Sequence, residues 1–145
     1  MSTAIGTATG TVQAAAVTKI RASAQFTALS QGIFDQAAVP VGQALPYCTI
    51  GDAVETPINA MGTVLARGYE CITTIHAWSQ SRGFKTVQAM IGAITVILTD
   101  RQPLVLAGGQ IHTGTWSLGS TAVEDPDGVT QHGIARYVFR VYENL

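Results

Sequence analysis

The chain has 145 residues, a formal net charge of -1 and only 12% charged residues against 47% hydrophobic ones. This length predicts a single domain over residues 1–145, and the hydrophobic share excludes a disordered chain. Lys+Arg (8) and Asp+Glu (9) nearly balance. A basic surface that neutralises several phosphates is therefore excluded. Subunit interfaces are depleted in charge, so this composition favours an obligate assembly.

The N-terminal part predicts a flexible or extended segment followed by a helix. Residues 1–10 are small and polar, whereas the Ala-rich stretch 11–31 predicts a helix with Thr11 as its N-cap. Its thin apolar stripe is formed by Val17, Ile20, Ala24 and Ala28. Gly32 is expected to end it.

Two strands are predicted in the middle of the chain, over 46–58 and 69–81. The first places Cys48, Ile50 and Val54 on one face. The second alternates between two half-apolar faces, which is typical of a central strand. One face carries Glu70, Ile72, Thr74, His76 and Trp78, and the other carries Cys71, Thr73, Ile75 and Ala77.

The second half predicts one helix and two or three strands. The helix, over 84–100, has apolar residues at helical spacing, namely Val87, Met90, Ile91, Ile94 and Leu98. The Thr- and Gly-rich stretch 104–125 predicts one strand or two. The stretch 129–145 alternates cleanly, with Ala135, Tyr137, Phe139 and Val141 on one face.

The element order is therefore α-β-β-α-β-β. Consecutive strands with short connections predict an α+β fold. We expect a two-layer sandwich with a mostly antiparallel sheet of about four to five strands and two helices on one face.

Neither a secreted nor a membrane protein is predicted. The N-terminus lacks the charged and apolar regions of a signal peptide. The longest apolar segment, 84–99, would be roughly 24 Å long as a helix, too short for a hydrocarbon core of ~30 Å. Cys48 and Cys71 are interpreted as buried thiols, with a cross-strand disulfide left open. These features predict a soluble, cytoplasmic protein.

No metal, cofactor or catalytic site is predicted. His76, His112 and His132 lie in separate strands, and none has the HxxxH, HxH or CxxC spacing of a metal site. Neither cysteine has a histidine nearby in sequence to activate it, and there is no G-x-S-x-G motif. We therefore expect a protein that is not an enzyme.

The acidic stretch before the last strand is predicted to be a turn. Asp125-Pro126-Asp127-Gly128 has Pro at the second position and Gly at the fourth, as type I turns prefer. Asp125 can then bond back to the backbone. His132 begins the return strand and need not converge on these carboxylates. If Asp125, Asp127 and His132 have a function beyond the turn, we expect it to be contact with a neighbouring protein.

Two further groups are candidates for protein interfaces. Arg136 and Arg140 share one strand face about 13 Å apart. They form either a solvated face, an inter-subunit ion-pair row or a weakly basic lining of a channel. The 59–68 loop carries Met61, Val64, Leu65 and Arg67. Its apolar residues either pack onto their own domain or form a docking tip.

Taken in order, the motifs along the chain resemble those of a known family. The most specific are PYxxIG, the IHAWS strand followed by a Gly-aromatic helix start, and the ending from DPDGxTxHG to RVYE. The matching segments are GIFD (32–35), PYCTIGDAVETP (46–57), RGYECITTIHAWSQSRGF (67–84), VQAMIGAITVIL (87–98) and EDPDGVTQHGIARYVFRVYE (124–143). The chain resembles the tail completion and tail terminator proteins of long-tailed phages and of gene transfer particles.

The resemblance implies a structural protein of the virion tail or neck, assembled in the host cytoplasm. Such proteins form a hexameric ring at the head-proximal end of the tail tube. The implied partners are further copies of the chain, the tail tube protein and a head-completion or adaptor protein, with DNA only passing through the lumen and no membrane. One alternative is a head-to-tail joining adaptor. Another is a small α+β hydrolase or ligand-binding domain that uses Asp125, Asp127 and His132.

Overall fold

A computed structural model describes residues 8–58 and 66–144 of the chain. This part has an α+β fold with three helices and a five-stranded mixed sheet. The elements in chain order are α1 (Ala8–Arg21), α2 (Ala24–Leu29), β1 (Ile33–Asp35), β2 (Tyr47–Ile58), β3 (Ala66–Ser79), α3 (Lys85–Leu98), β4 (Gln110–Glu124) and β5 (Gln131–Asn144).

The strands are arranged in the order β1-β2-β3-β5-β4. The three pairings β2–β3, β3–β5 and β4–β5 are antiparallel, and β1 pairs with β2 in parallel. The expectation that 69–81 forms a central strand is confirmed, because β3 lies in the middle of the sheet. The stretch 104–125 contributes a single long strand, β4, which forms one edge.

Helix α3 packs on one face of the sheet, as its apolar stripe predicts. All five stripe residues from Val87 to Leu98 are buried. The helix approaches β5 so closely at Gly133 that a Cβ there would lie 2.5 Å from Cδ1 of Ile91 and 3.3 Å from Cβ of Val87. Farther along, the hydroxyls of Tyr137 and Thr95 lie 2.7 Å apart. The buried Tyr137 therefore has a partner for its polar atom.

The N-terminal prediction was wrong in its detail, because two helices replace one. Residues 8–10 already belong to α1, and Thr11 lies inside it with its hydroxyl donating to the Ala8 carbonyl. Residues 22–23 separate the two helices. The Ser23 side chain accepts a hydrogen bond from the Phe26 amide and so caps α2. Serine competes for backbone hydrogen bonds and so favours a cap over a helix interior.

The predicted position of Val54 was also wrong. A register shift between Gly51 and Val54 interrupts the β2–β3 pairing, and Asp52 there has a positive φ of 49°. A bulge adds a residue to one strand and so reverses the alternation beyond it. Cys48 and Ile50 are buried, but Val54 pairs with Ile72 and is 56% exposed.

The predicted element order therefore requires two additions, α2 and the short parallel strand β1. Strand β1 lies between Gly32 and the strand predicted over 46–58, in a stretch for which no helix or strand was predicted. It pairs Ile33 with Cys48 and Asp35 with Ile50, and Ile33 is fully buried. Three residues are too few for a period to be visible in the sequence.

Candidate functional site: the exposed sheet face

One face of the sheet carries the even-numbered residues of β3 and β5, and we call it the exposed sheet face. The alternation predicted for both strands is confirmed, because the odd-numbered residues Cys71 to Ala77 and Ala135 to Val141 are buried. The exposed sheet face also includes residues of the flanking strands. Its members are Val54 of β2, Glu70, Ile72, Thr74, His76 and Trp78 of β3, Trp116 of β4, and His132, Ile134, Arg136, Val138 and Arg140 of β5. Thr74 and Val138 are buried between their neighbours on this face.

Three aromatic side chains form a cluster at one end of this face. Trp78 and His132 pair directly across β3 and β5, and their rings stack with centroids 3.7 Å apart and planes 10° apart. His76 follows on the diagonal, with its Nδ1 2.7 Å from Nε2 of His132. This is a hydrogen-bond distance. The two histidines that the sequence places on separate strands are therefore in direct contact.

A carboxylate lies behind the histidine pair. Oδ2 of Asp52 is 3.4 Å from Nε2 of His76, a long contact with the exposed bulge of β2. Burial lowers the pKa of His132, and the neighbouring His76 lowers it further, whereas the charge of Asp125 acts in the opposite direction. One contiguous cluster on this face is thus formed by Asp52, His76, His132 and Trp78.

The basic residues on the exposed sheet face differ in their partners. The Arg140 guanidinium donates from Nε and Nη2 to Oε1 of Glu70, at 3.2 and 3.0 Å, and it lies 5.2 Å from the centre of the Trp116 ring. Arg136 is exposed and has no hydrogen-bond or ion-pair partner within 8–58 and 66–144. Within these ranges Arg136 is therefore unpaired, whereas Arg140 already uses two of its N–H groups on Glu70.

The acidic stretch forms a turn, as predicted, but a different aspartate stabilises it. The Gly128 amide donates to the Asp125 carbonyl at 3.0 Å, the bond of a type I turn. The Asp127 carboxylate accepts hydrogen bonds from the Val129 amide at 2.9 Å, from the Thr130 amide at 2.8 Å and from the Thr130 hydroxyl at 2.6 Å. These bonds lower the pKa of Asp127. Asp127 thus has a structural role in the turn.

The third histidine is separate from the other two. His112 is buried, its Nδ1 accepts the Leu104 amide at 2.8 Å, and its Nε2 lies 2.6 Å from Oγ1 of Thr115. Burial lowers its pKa. Within the two described ranges, the structure brings together no group of three or more His, Cys, Asp or Glu side chains that could hold a metal ion.

The cysteines are buried and free, on β2 and β3. Cys48 pairs with Ala77 and Cys71 with Glu55, so they lie at different levels of the sheet. Burial raises the pKa of both thiols to about 12. The thiol form therefore prevails at neutral pH, as the prediction of buried thiols requires.

The remaining interface candidates lie wholly or partly outside the described residues. Met61, Val64 and Leu65 fall outside the described residues, and for Arg67 only the backbone, which belongs to β3, is described. Among the helices of the described ranges, none has the length and hydrophobicity needed to cross a lipid bilayer.

Comparison with known proteins identifies the class of molecule. The family described as "Tail completion protein gp17" matches residues 14–142, which include almost all the described elements. Among the solved structures, a chain of the "Virion of native gene transfer agent (GTA) particle" superposes with a TM-score of 0.80 and 26% sequence identity. The match covers 92% of this chain and 96% of that chain. The search among curated proteins gave no match.

These matches define a structural protein of a phage-type virion tail. The chain belongs to the tail completion protein gp17 family. The family resemblance drawn from the motifs is confirmed. Membership in a family of structural tail proteins is consistent with a protein that is not an enzyme.

Sequence reasoning missed the contact between His76 and His132. Strand alternation places each on the exposed sheet face, but their proximity depends on the β3–β5 register, which pairs Trp78 with His132. One signal was available. Both histidines lie near the ends of their strands that an antiparallel pairing brings together, His76 late in β3 and His132 early in β5.

Proposed function

We propose that copies of this chain form a ring, most simply a hexamer, that completes the tail tube and joins it to the head. The ring binds the tail tube protein on one side and a head-completion or adaptor protein on the other. DNA passes through its lumen without being gripped, because the chain has a net charge of -1 and no basic run. The complex forms in the host cytoplasm and resides in the tail or neck of the virion.

The observation that carries this proposal is the extent of the two matches. The family match runs from residue 14 to residue 142, and the gene transfer agent chain is covered over 96% of its length. The likeness therefore concerns the whole molecule and is not confined to one motif.

The exposed sheet face supports an assembling role. In this proposal the helices form one layer and the sheet the other, which leaves this face for partner molecules. It combines exposed apolar side chains, such as Val54 and Trp116, with Arg136, which has no ion-pair partner among the described residues. Aromatic residues and arginines are enriched in protein interfaces. We assign Arg136 to a contact between neighbouring subunits, together with Asp125, His132 and the loop that carries Met61, Val64, Leu65 and Arg67.

Native mass measurement of the purified chain, alone and mixed with tail tube protein, tests the proposal. We expect a sixfold mass, either in the free protein or on tubes, and tubes capped at one end by electron microscopy. A stable monomer that ignores both tubes and head-completion protein would contradict the ring. Binding to the head-completion protein without binding to tubes would instead identify a head-to-tail joining adaptor.

A charge reversal tests the assignment of the face. Arg136→Glu should weaken assembly at least tenfold, because it places a like charge where an acidic partner is expected. The matched control is Arg101→Glu in the exposed connection between α3 and β4, which has the same change of charge away from the sheet face. Equal effects of the two variants would contradict the assignment of Arg136.

A further inference from the structure

We propose that the acidic turn of one copy docks beside Arg136 on the exposed sheet face of the next copy. The acidic turn is the connection from β4 to β5, and its contact residues are Val123, Glu124, Asp125 and Val129. This inference rests on the ring proposed above, and it names the two parts of neighbouring copies that meet.

The two patches carry opposite charges that are not paired inside one copy. The carboxylates of Glu124 and Asp125 make no hydrogen bond or ion pair among the residues that the structure describes. Asp127 differs, because its carboxylate already accepts the three hydrogen bonds that hold the turn. Arg136 is the corresponding cation on the sheet face, exposed and unpaired within the same ranges. The chain therefore carries two complementary charged groups, each of which is left for a second molecule.

Within one copy these charges lie too far apart to meet. Glu124 pairs with Gln131 at the start of β5, and Arg136 follows five residues later on the same strand. At about 3.4 Å per residue this places Arg136 roughly 17 Å from the turn, whereas an ion pair needs an N···O distance within about 4 Å. Ile134 also lies between them on the sheet face. The attraction can therefore be satisfied only between two copies.

The apolar surroundings of the two patches match as well. Val123 and Val129 flank the carboxylates of the turn, and both are exposed. On the sheet face the exposed Trp116 is the diagonal neighbour of Arg136, because it pairs with Val138. Valine side chains can pack on the indole ring while the guanidinium donates to the carboxylates. An aromatic ring beside an arginine is also the composition that protein interfaces favour.

The position of the two patches decides the kind of assembly. The acidic turn lies at the end of the sheet, whereas Arg136 lies within its exposed face. A contact of turn to face joins two different surfaces, and every copy offers both of them. Such heterologous contacts repeat from copy to copy and close into a ring when the rotation allows it.

Arg82 is the competing partner of the turn. It lines the same cavity as Glu124, together with Phe84 and Val129, yet the two side chains form no ion pair in the described part of the chain. A link to Arg82 would arise within each copy, so mixing different copies would not affect it. Pairing with Arg136 depends on which copies are mixed, and the experiment uses this difference.

The test reverses the charge of each patch and then mixes the variants. The first variant is Arg136→Glu, and the second carries Glu124→Lys with Asp125→Lys, which leaves the Asp127 bonds of the turn in place. Native mass is measured under the conditions in which the unchanged chain assembles. We expect each variant alone to assemble at least tenfold more weakly, because like charges then face each other in every contact.

An equimolar mixture of the two variants should recover the ring. Every contact then joins opposite charges if the variants alternate, so the rings should hold equal numbers of both. A single chain that carries all three substitutions should also assemble, to within about threefold of the unchanged chain. Urea unfolding of each variant checks that it folds, and Asp125→Lys alone replaces the double variant if the latter does not.

The remaining outcomes separate this contact from net charge and from the ring itself. Glu124→Lys and Asp125→Lys combined with Arg101→Glu have the same net charge as the triple variant and should stay weak, so recovery there would overturn the proposal. Normal assembly of either first variant, or no recovery in the mixture, would overturn this contact while the ring of the unchanged chain stands. An unchanged chain that assembles neither alone nor on tubes would overturn the ring and this contact together.

Discussion

The two faces of the sheet are built by the same strands but have different physical properties. The face on which α3 packs is apolar and closely packed, with Tyr137, Phe139 and Val141 fully or almost fully buried. The exposed sheet face holds instead paired charges and stacked rings, such as Arg140 with Glu70 and His132 with Trp78. The first face carries the stability of the fold, whereas the second presents polar and aromatic side chains at the surface.

Truncation of one large side chain on each face should give the largest difference in stability. Phe139→Ala removes a side chain that is 1% exposed, and we expect it to lower the free energy of unfolding by about 3 to 5 kcal/mol. The matched Trp116→Ala, whose residue is 39% exposed, should cost only about 1 kcal/mol. Urea unfolding curves measure both, and similar costs would contradict the assignment of stability to the helix-covered face.

The next effect concerns the contact between α3 and β5. Gly133→Ala places a methyl group against Val87 and Ile91 and should destabilise by about 1 to 3 kcal/mol. Gly92 on the outer side of α3 is the control, since a Cβ there meets nothing within 4 Å. Gly92→Ala should stabilise by about 0.5 to 1 kcal/mol through helix propensity. Thermal unfolding of the two variants should therefore shift in opposite directions.

Acid should weaken the fold through the buried histidine. The folded-state pKa of His112 is lower than its unfolded value of 6.5. Between these two values the unfolded chain binds more protons, so the free energy of unfolding decreases as the pH falls below about 6.5. A His112→Gln variant should show a flatter dependence between pH 7 and pH 5. An equally steep curve would show that His112 is not a source of the acid sensitivity.

The smallest effect is expected for the ion pair on the exposed sheet face. The side chains of Arg140 and Glu70 are 47% and 33% exposed, so water and salt screen their attraction. Glu70→Gln should change stability by less than about 1 kcal/mol, with the remaining difference lost at high salt. A larger or salt-independent loss in urea unfolding would mean that this face contributes more to the fold than its exposure implies.

Much of the fold follows from periodicity within single elements. The stretch 84–100 predicts α3 to within two residues at either end, and the faces of β3 and β5 alternate as expected. In these segments the buried positions recur at regular intervals and hold apolar residues, so the helical or strand period is visible in the sequence itself. The α+β fold class could be predicted for the same reason.

What could not be predicted depends on local breaks and on contacts between distant residues. The bulge before Val54 reverses the faces of β2 without a signal in its hydrophobic pattern, and Ser23 divides a stretch whose composition is helical throughout. The pairing of His76 with His132 requires the register of two strands that are far apart in sequence. Family motifs indicated the kind of protein, but the chemistry of its surface was visible only in the structure.

The two register shifts in β4 have a consequence for how copies of this chain can meet. They interrupt the ladder between His112 and Gly114 and again between Ser117 and Ser120, in a strand at the edge of the sheet. A straight edge would accept the strand of any similar neighbour and then offer a new edge, so growth would have no natural end. An edge that bends at two places is a poor template for such repeated addition of strands. In the proposed ring, neighbours therefore recognise side chains, and a fixed number of copies can satisfy contacts of that kind.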